Sequence, residues 1–181
     1  FTLGKGSSTA NADAPYQRNN ADSETYVGWN WKAAGSTVSN SDGSITSTVS
    51  ANTTAGFSIV TYTGNNASAT VGHGLGAAPN VVIVKRRNGA GDWIVGHDGL
   101  ASDAFANNKF LKLESTSSTF TNSLVWGSQP TSTVVQIVTG SGATNLNGSS
   151  DTYVMYCFRE VAGFSKFGSY VGNGNNDGSF I

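Results

Sequence analysis

The two histidines, His73 and His97, are the residues best suited to nucleophilic or acid–base chemistry. Nucleophilic catalysis needs a nucleophile, a base within hydrogen-bond reach and an acid that orients the base. Asp98 directly follows His97, and neighbouring side chains in a strand point to opposite faces, so we expect no His–Asp dyad there. His73 lies between glycines, which indicates a turn, and no Gly-x-Ser-x-Gly elbow accompanies either histidine. The sequence therefore does not predict a histidine-based active site.

The carboxylates are too sparse to predict glycoside cleavage, which needs two of them about 5 to 10 Å apart. Glutamate occurs only at Glu24, Glu114 and Glu160. Three aspartates lie in one region without the spacing of a calcium loop: Asp92, Asp98 and Asp103. The single cysteine, Cys157, excludes an internal disulfide framework and a thiolate zinc site. We therefore predict a protein that is not an enzyme, with no metal site and no cofactor.

One stretch carries the residue types that β-sandwich proteins use to bind sugars, an aromatic face beside hydrogen-bonding side chains. The candidates around one predicted hairpin are Trp93, Asp92, His97 and Asp98, with Arg87 beside Arg86 on the opposite strand. Trp126 is a further candidate. The alternative is that both tryptophans fill the core, as large aromatic residues usually do. The core is also the place we expect for Trp29 and Trp31.

Charge and hydropathy exclude several classes of protein. The 181 residues have a net charge of -1 and only 12% are charged, which argues against a nucleic-acid partner. No run approaches the roughly 18 to 20 apolar residues of a membrane span, and no signal peptide is recognisable. Hydrophobic residues make up 38% and aromatic residues 10%, so the chain should fold. Because it opens within a strand-like segment at residues 1–3, we expect a piece of a longer polypeptide.

Period-two alternation and β-branched residues predict strands along most of the chain. The predicted strands are residues 25–31, 37–40, 44–49, 57–62, 81–85, 93–97, 110–113, 133–139 and 152–158. Two pairs form hairpins, one around Asp42 and Gly43 and one around residues 88–92. Residues 100–110 are expected to be a loop with at most one or two helical turns. The prediction is an all-β fold, an antiparallel β-sandwich of jelly-roll type with little or no helix.

An internal repeat suggests how the chain is organised. Residues 24–32 match residues 151–159 in an acid, Thr-Tyr-Val, alternating aromatics and a closing base. Residues 55–58 and 162–165 are both Ala-Gly-Phe-Ser. We predict tandem modules: the end of one at 1–34, a complete one at 35–162 with an inserted hairpin at about 35–54, and the start of another at 163–181. Glu24 and Glu160 then lie at module joints, where pairing with Lys32 or Arg159 is expected.

The segments 44–58, 72–76 and 160–170, with the repeated Thr-Tyr-Val-x-aromatic motif, resemble a tandem repeat found in structural proteins of tailed phages of marine bacteria. The resemblance covers most of residues 25–181 and is weakest over residues 1–20. It implies a virion component of tail-fibre type and identifies no ligand or catalytic residue. Its expected partners are copies of itself or adjacent modules, in trimers or as a monomeric rod, together with other virion proteins and host surface glycans.

The functional prediction is a non-catalytic structural and adhesive module of a phage tail fibre or related extracellular filament. It would act on the virion or at an extracellular surface, where many weak contacts sum to firm attachment. The alternative is a carbohydrate-binding module of a secreted bacterial protein, which would bind one glycan through Trp93. A third option, a depolymerase domain, predicts release of reducing sugar from host polysaccharide.

Overall fold

The computed structural model describes residues 25–122 and 124–174, and the chain divides into two compact units, Phe1–Trp31 and Lys32–Ile181. The first unit is described only at residues 25–31, which form no strand and whose side chains are exposed. The strand predicted at residues 25–31 is therefore wrong for this structure. The strand-like segment predicted at residues 1–3 and the end of the third predicted module lie outside the described residues.

The second unit is built almost entirely from strands. They are β1 Val38–Asn40, β2 Ser47–Asn52, β3 Phe57–Thr63, β4 Ala69–Gly72, β5 Val81–Arg86, β6 Ile94–His97, β7 Lys109–Lys112, β8 Phe120–Thr121, β9 Val134–Ile137 and β10 Thr152–Phe158. Two short 3-10 turns, Asp98–Leu100 and Gly142–Thr144, are the only helical elements in the part of the chain that the structure describes. Across that part, no helix has the length and hydropathy needed to cross a membrane.

The strands form an antiparallel sandwich, as predicted. Eight strands make one sheet in the order β1-β2-β3-β10-β5-β6-β7-β8, and β4 and β9 make a second sheet. β10 lies at the centre, paired on one side with β3 and on the other with β5. One hydrophobic cluster takes side chains from both sheets, among them Val60 and Met155 from the large sheet and Val71 and Val135 from the small one.

Alternation along β10 separates the two faces of the large sheet. Tyr153, Met155 and Cys157 are fully buried on the face that meets the small sheet, which we call the core face. Met155 lies opposite Val60 on β3 and Val84 on β5, and both valines are also fully buried. Burying an aliphatic side chain of this size stabilises a fold by about 1.5–3 kcal/mol, so this cross-strand row is a main element of the core.

The opposite side of the large sheet, the outer face, carries the other half of each strand. Here a cross-strand row of apolar side chains runs over five strands in register, which we call the outer row: Ile59, Tyr156, Ile83, Val95 and Leu111. Val95 is 9% exposed and the other four are partly exposed. The large sheet is therefore apolar on both faces, although only the core face meets the second sheet.

Both predicted hairpins are confirmed, as β1–β2 and β5–β6. The first has a longer loop than expected, because Asn40 pairs with Ser47 and the residues between them include Ile45. Ile45 is buried and donates its N–H to the Thr70 carbonyl at 3.0 Å, which ties the loop to β4. A Cβ at Gly43 would collide with that same carbonyl, so the loop needs glycine there for close approach.

Residues 98–108 form turns, in agreement with the predicted loop, but this loop is not peripheral. Phe105 is fully buried within it and packs against Trp126, with ring centroids 5.1 Å apart at an interplanar angle of 64°. Such edge-to-face pairs add about 0.5–1.5 kcal/mol beyond the area they bury. The loop thus closes one end of the sandwich.

Candidate functional site

Trp93 lies just before β6 and is partly exposed, as expected for a binding residue. The Lys85 ammonium is 5.9 Å from the centroid of its ring, so a cation already occupies one approach to the aromatic face. The Trp93 backbone N–H donates to Glu114 Oε2 at 3.1 Å. Since Lys85 lies opposite Val154 on the outer face, Trp93 extends the apolar surface of the outer row.

Asp92, the neighbour of Trp93, is directed to the other side of the hairpin. Its carboxylate pairs with Lys112 Nζ at 2.7 Å, and Lys112 lies opposite Ile94, which is on the core face. The Asp92 backbone N–H donates to the Ala143 carbonyl at 2.9 Å. The structure therefore does not bring Asp92 and Trp93 together as parts of one binding surface.

The expectation that His97 and Asp98 point apart is wrong. Strand β6 ends at His97 and the 3-10 turn begins at Asp98, so strand alternation does not extend to the aspartate. His97 Nδ1 lies 3.3 Å from Asp98 Oδ1. The same nitrogen accepts the Gly99 N–H at 2.8 Å, so the ring proton of the neutral form is on Nε2. His97 thus caps the turn with one nitrogen while the other carries its proton.

Asp98 belongs to a polar cluster at this end of the sheet. Asn80 Nδ2 donates to Asp98 Oδ2 at 2.6 Å, and Asn80 Oδ1 accepts the Glu160 backbone N–H at 2.7 Å. Glu160 pairs with Lys166 at 3.0 Å and not with Lys32 or Arg159, which corrects the expectation for Glu160, whereas Glu24 lies outside the described residues. The Lys166 ammonium and the Phe167 N–H hold the pKa of the Glu160 carboxyl below its usual value. These bonds fix the segment that follows β10 against the end of β5.

The last two candidates, Arg87 and Trp126, lie in different surroundings. Arg87 is exposed just after β5 and is held through its backbone N–H, which donates to the Thr152 carbonyl at 2.8 Å. Its neighbour Arg86 pairs with Asp151 at 2.5 Å. Trp126 is fully buried against Phe105, so its ring offers no surface to a ligand, and the core alternative holds for this residue.

The aromatic residues of the internal repeat are not core residues, contrary to expectation. Tyr156 and Phe158 lie on the outer face and are partly exposed. Trp29 is 76% exposed and Trp31 57%. The alternation of aromatics correctly grouped Tyr156 and Phe158 on one face of a strand, but that face is the outer one, and Trp29 and Trp31 lie in no strand.

His73, which the sequence placed in a turn, is a fully buried structural residue. Its Nε2 donates to the Thr131 carbonyl at 3.2 Å and its Nδ1 accepts the Leu75 N–H at 3.2 Å. Burial lowers the pKa of the imidazole, because the charged form would lose its hydration. Burial also raises the pKa of the Cys157 thiol to about 12. Within residues 25–122 and 124–174, no three His, Cys, Asp or Glu side chains group as metal ligands.

Together these placements leave the outer face as the best candidate for a functional surface. It joins the outer row to Trp93 at one edge and to Phe158 and His97 at the end of the sheet. Sequence reasoning found Trp93 and His97 but missed the outer row. Period-two alternation groups residues on a face without saying which face meets the core.

Comparison with known proteins places the chain in one family. The model of the family described as "Domain of unknown function (DUF7483)" matches residues 1–181, and the chain belongs to that family. No curated protein and no solved structure matches the chain.

Proposed function

We propose that this protein is a non-catalytic structural and adhesive module of an extracellular filament, of the tail-fibre type that its sequence resembles. The observation that carries the proposal is the outer row, five apolar side chains in register across the outer face of the large sheet. Contiguous apolar patches on a folded surface mark places where another macromolecule binds. The function of the module is therefore to make contact with neighbours.

The surroundings of the outer row have the composition of a protein interface. Ser50 lies beside Ile59 at one end of the row, Thr61 and Lys85 flank it along the strands, and His97 lies towards the end of β6. An apolar centre with a polar rim is typical of surfaces that pack against proteins. A sugar site would instead concentrate hydrogen-bonding groups around one exposed ring, whereas Asp92 pairs with Lys112 and Trp126 is fully buried.

The large sheet suits a load-bearing role because its strands are bonded continuously across eight members. Such modules hold weak binding surfaces away from a particle, and the surfaces act together by raising each other's effective concentration. The partners we propose are copies of itself or adjacent modules, in trimers or in a rod, with other virion proteins and host surface glycans. The low charged fraction, 12%, limits repulsion between neighbouring copies.

Sedimentation velocity across a range of protein concentrations tests the proposal with two matched variants. Ile83→Lys places a charge at the middle of the outer row, and Val38→Lys places one on β1, where Val38 is already 61% exposed. We expect the unmodified chain and Val38→Lys to self-associate with rising concentration and Ile83→Lys to remain a monomer. All three proteins should give the same far-ultraviolet circular dichroism spectrum, which shows that they are equally folded. Monomers at every concentration, together with no binding to host surface material, would refute the proposed function.

A carbohydrate-binding module is the second candidate, favoured by the partly exposed ring of Trp93 beside Lys85. A glycan array with the chain and with Trp93→Ala separates the two candidates. Tight binding of one glycan class that the variant loses would establish the binding module. If the chain binds no glycan on the array, the structural module is supported.

A further inference from the structure

One of the two repeated blocks has a structural counterpart. Residues 152–158 of the second copy are β10, the central strand of the large sheet, whereas residues 25–31, which match them in sequence, form no strand. The two Ala-Gly-Phe-Ser segments agree in backbone conformation, because Gly56 has φ +68° and Gly163 has φ +73°. A glycine with positive φ at the same place in both segments is a specific backbone feature. The similarity of these two segments therefore includes backbone conformation as well as residue type.

The match between residues 25–31 and 152–158 retains bulky side chains mainly on one side of the alternation. On the outer side, Val154, Tyr156 and Phe158 correspond to the set that we call the aromatic stripe: Val27, Trp29 and Trp31. On the core side, Tyr153 is matched by Tyr26, but Met155 and Cys157 are matched by Gly28 and Asn30. Core packing would require bulk at those two positions. The retained feature is therefore the outward apolar side.

The aromatic stripe is well exposed in the structure. Val27 is 79% exposed, Trp29 76% and Trp31 57%. A tryptophan buries roughly 150–250 Å² when it packs, so two of them with a valine form an apolar surface large enough to anchor an interface. Tryptophan is also among the residues that most often dominate binding energy.

The dimensions of the aromatic stripe fit the outer face. In an extended strand its three side chains span four residue steps, about 13 Å at 3.3 Å per residue. The positions of Val154, Tyr156 and Phe158 along β10 have the same spacing. Across the sheet the outer row covers five strands, about 19 Å at 4.8 Å between strands. Residues 25–31 form no strand in the structure. Once extended on the outer face, however, the stripe would be about 13 Å long, shorter than the outer row, so all three side chains can contact the row.

We infer that the aromatic stripe of one copy packs on the outer row of a second copy of this chain. The inference rests on the proposed function, since it names the partner of the contact surface described above. Each copy then has one donor surface and one acceptor surface, which are different. Such a heterologous contact propagates head to tail, giving a ring where the rotation closes and a filament where it does not.

Complementary variants of the full chain test this directly. The donor variant carries Trp29→Ser and Trp31→Ser, and the acceptor variant carries Ile83→Lys, with Leu111→Lys as a second acceptor variant in case the first misfolds. Val38→Ser is the matched control, because it removes an exposed apolar side chain on β1. Far-ultraviolet circular dichroism checks that each variant is folded.

We expect each variant alone to weaken self-association by about 30-fold or more, the range of a hot-spot residue. Mixing donor and acceptor variants should restore one intact contact, so light scattering should show dimers that grow no further. If the donor variant alone still dimerises as the unmodified chain does, the inference is overturned, because outer faces then pack against each other.

A second readout identifies the contact itself. A photoreactive benzoylphenylalanine at position 29 should cross-link to the outer row of another copy, seen as a covalent dimer in mixed isotope-labelled samples. Cross-links confined within single chains would also overturn the inference. If the acceptor variant loses binding to a different protein while its self-association is unchanged, the proposed function stands. The head-to-tail contact between copies is then refuted.

Discussion

His73 makes the stability of the fold depend on pH in a way that one substitution can isolate. The imidazole is fully buried and neutral, and burial lowers its pKa from the usual 6.5, against smaller opposing effects of the Thr131 carbonyl and Asp42. In the unfolded chain the histidine binds a proton near pH 6.5. The unfolded state therefore binds more protons than the folded state below that pH, and protonation favours unfolding.

The size of the effect follows from proton linkage. Well above pH 6.5 the histidine adds no pH dependence, because it is deprotonated in both states. Below about pH 6.5, the free energy of unfolding falls by up to about 1.4 kcal/mol for each pH unit, until the pH reaches the lowered pKa of the folded state. His73→Asn removes the titration while its side-chain oxygen can still accept the Leu75 N–H. The variant loses the bond to Thr131, at about 1–2 kcal/mol.

Urea denaturation at pH 7.5, 6.5 and 5.5 measures both proteins. We expect His73→Asn to be less stable at pH 7.5 and the difference to shrink as the pH falls to 5.5, by no more than about 1.4 kcal/mol for each pH unit, because only the unmodified chain loses this stability. All other titratable groups are the same in both proteins, so their contributions cancel in the comparison. A stability difference that stays constant from pH 7.5 to 5.5 would show that His73 takes up its proton equally in both states.

Further predictions concern the core and the loop beside β4. Trp126→Ala should lower the free energy of unfolding by about 3–5 kcal/mol, measured by urea denaturation, since the ring is fully buried against Phe105; a loss below 1 kcal/mol would contradict that burial. The Cys157 thiol, with its pKa raised to about 12, should react with a thiol reagent at pH 8 only as fast as the chain unfolds; rapid labelling of the folded protein would contradict its burial. Gly43→Ala should lower the melting temperature because a Cβ collides with the Thr70 carbonyl, and an unchanged value would contradict the close approach.

The strands could be predicted because their signals are local. β-branched residues fill β3, β5 and β9, and the Asp42–Gly43 turn identifies the first hairpin. The pairing of β10 with β3 and β5 could not be predicted, because it joins residues about 70 to 100 positions apart. Local alternation contains no information about such contacts.

The faces of β10 show why the candidate site was only partly predictable. Trp29 and Trp31 are predicted to be core residues, and Tyr156 and Phe158 match them in the repeat, yet the core side of β10 is the alternate set of Tyr153, Met155 and Cys157. Both sides of this strand are apolar, so the choice depends on where the second sheet packs. The His97–Asp98 contact was missed for a related reason, because the end of β6 depends on the sheet and not on the dipeptide itself.

The module boundaries at residues 34 and 162 remain predictions. The chain divides into the compact units Phe1–Trp31 and Lys32–Ile181, and this division does not address repetition. The role of Trp93 in glycan binding likewise remains a prediction.

Isoleucine methyl resonances test the central claim, that the outer face is a surface for protein contact. Ile59 and Ile83 lie in the outer row, while Ile137 is fully buried between the sheets and serves as an internal control. With rising protein concentration, we predict that the methyl signals of Ile59 and Ile83 shift or broaden while that of Ile137 is unchanged. Self-association that leaves Ile59 and Ile83 unperturbed would contradict the account.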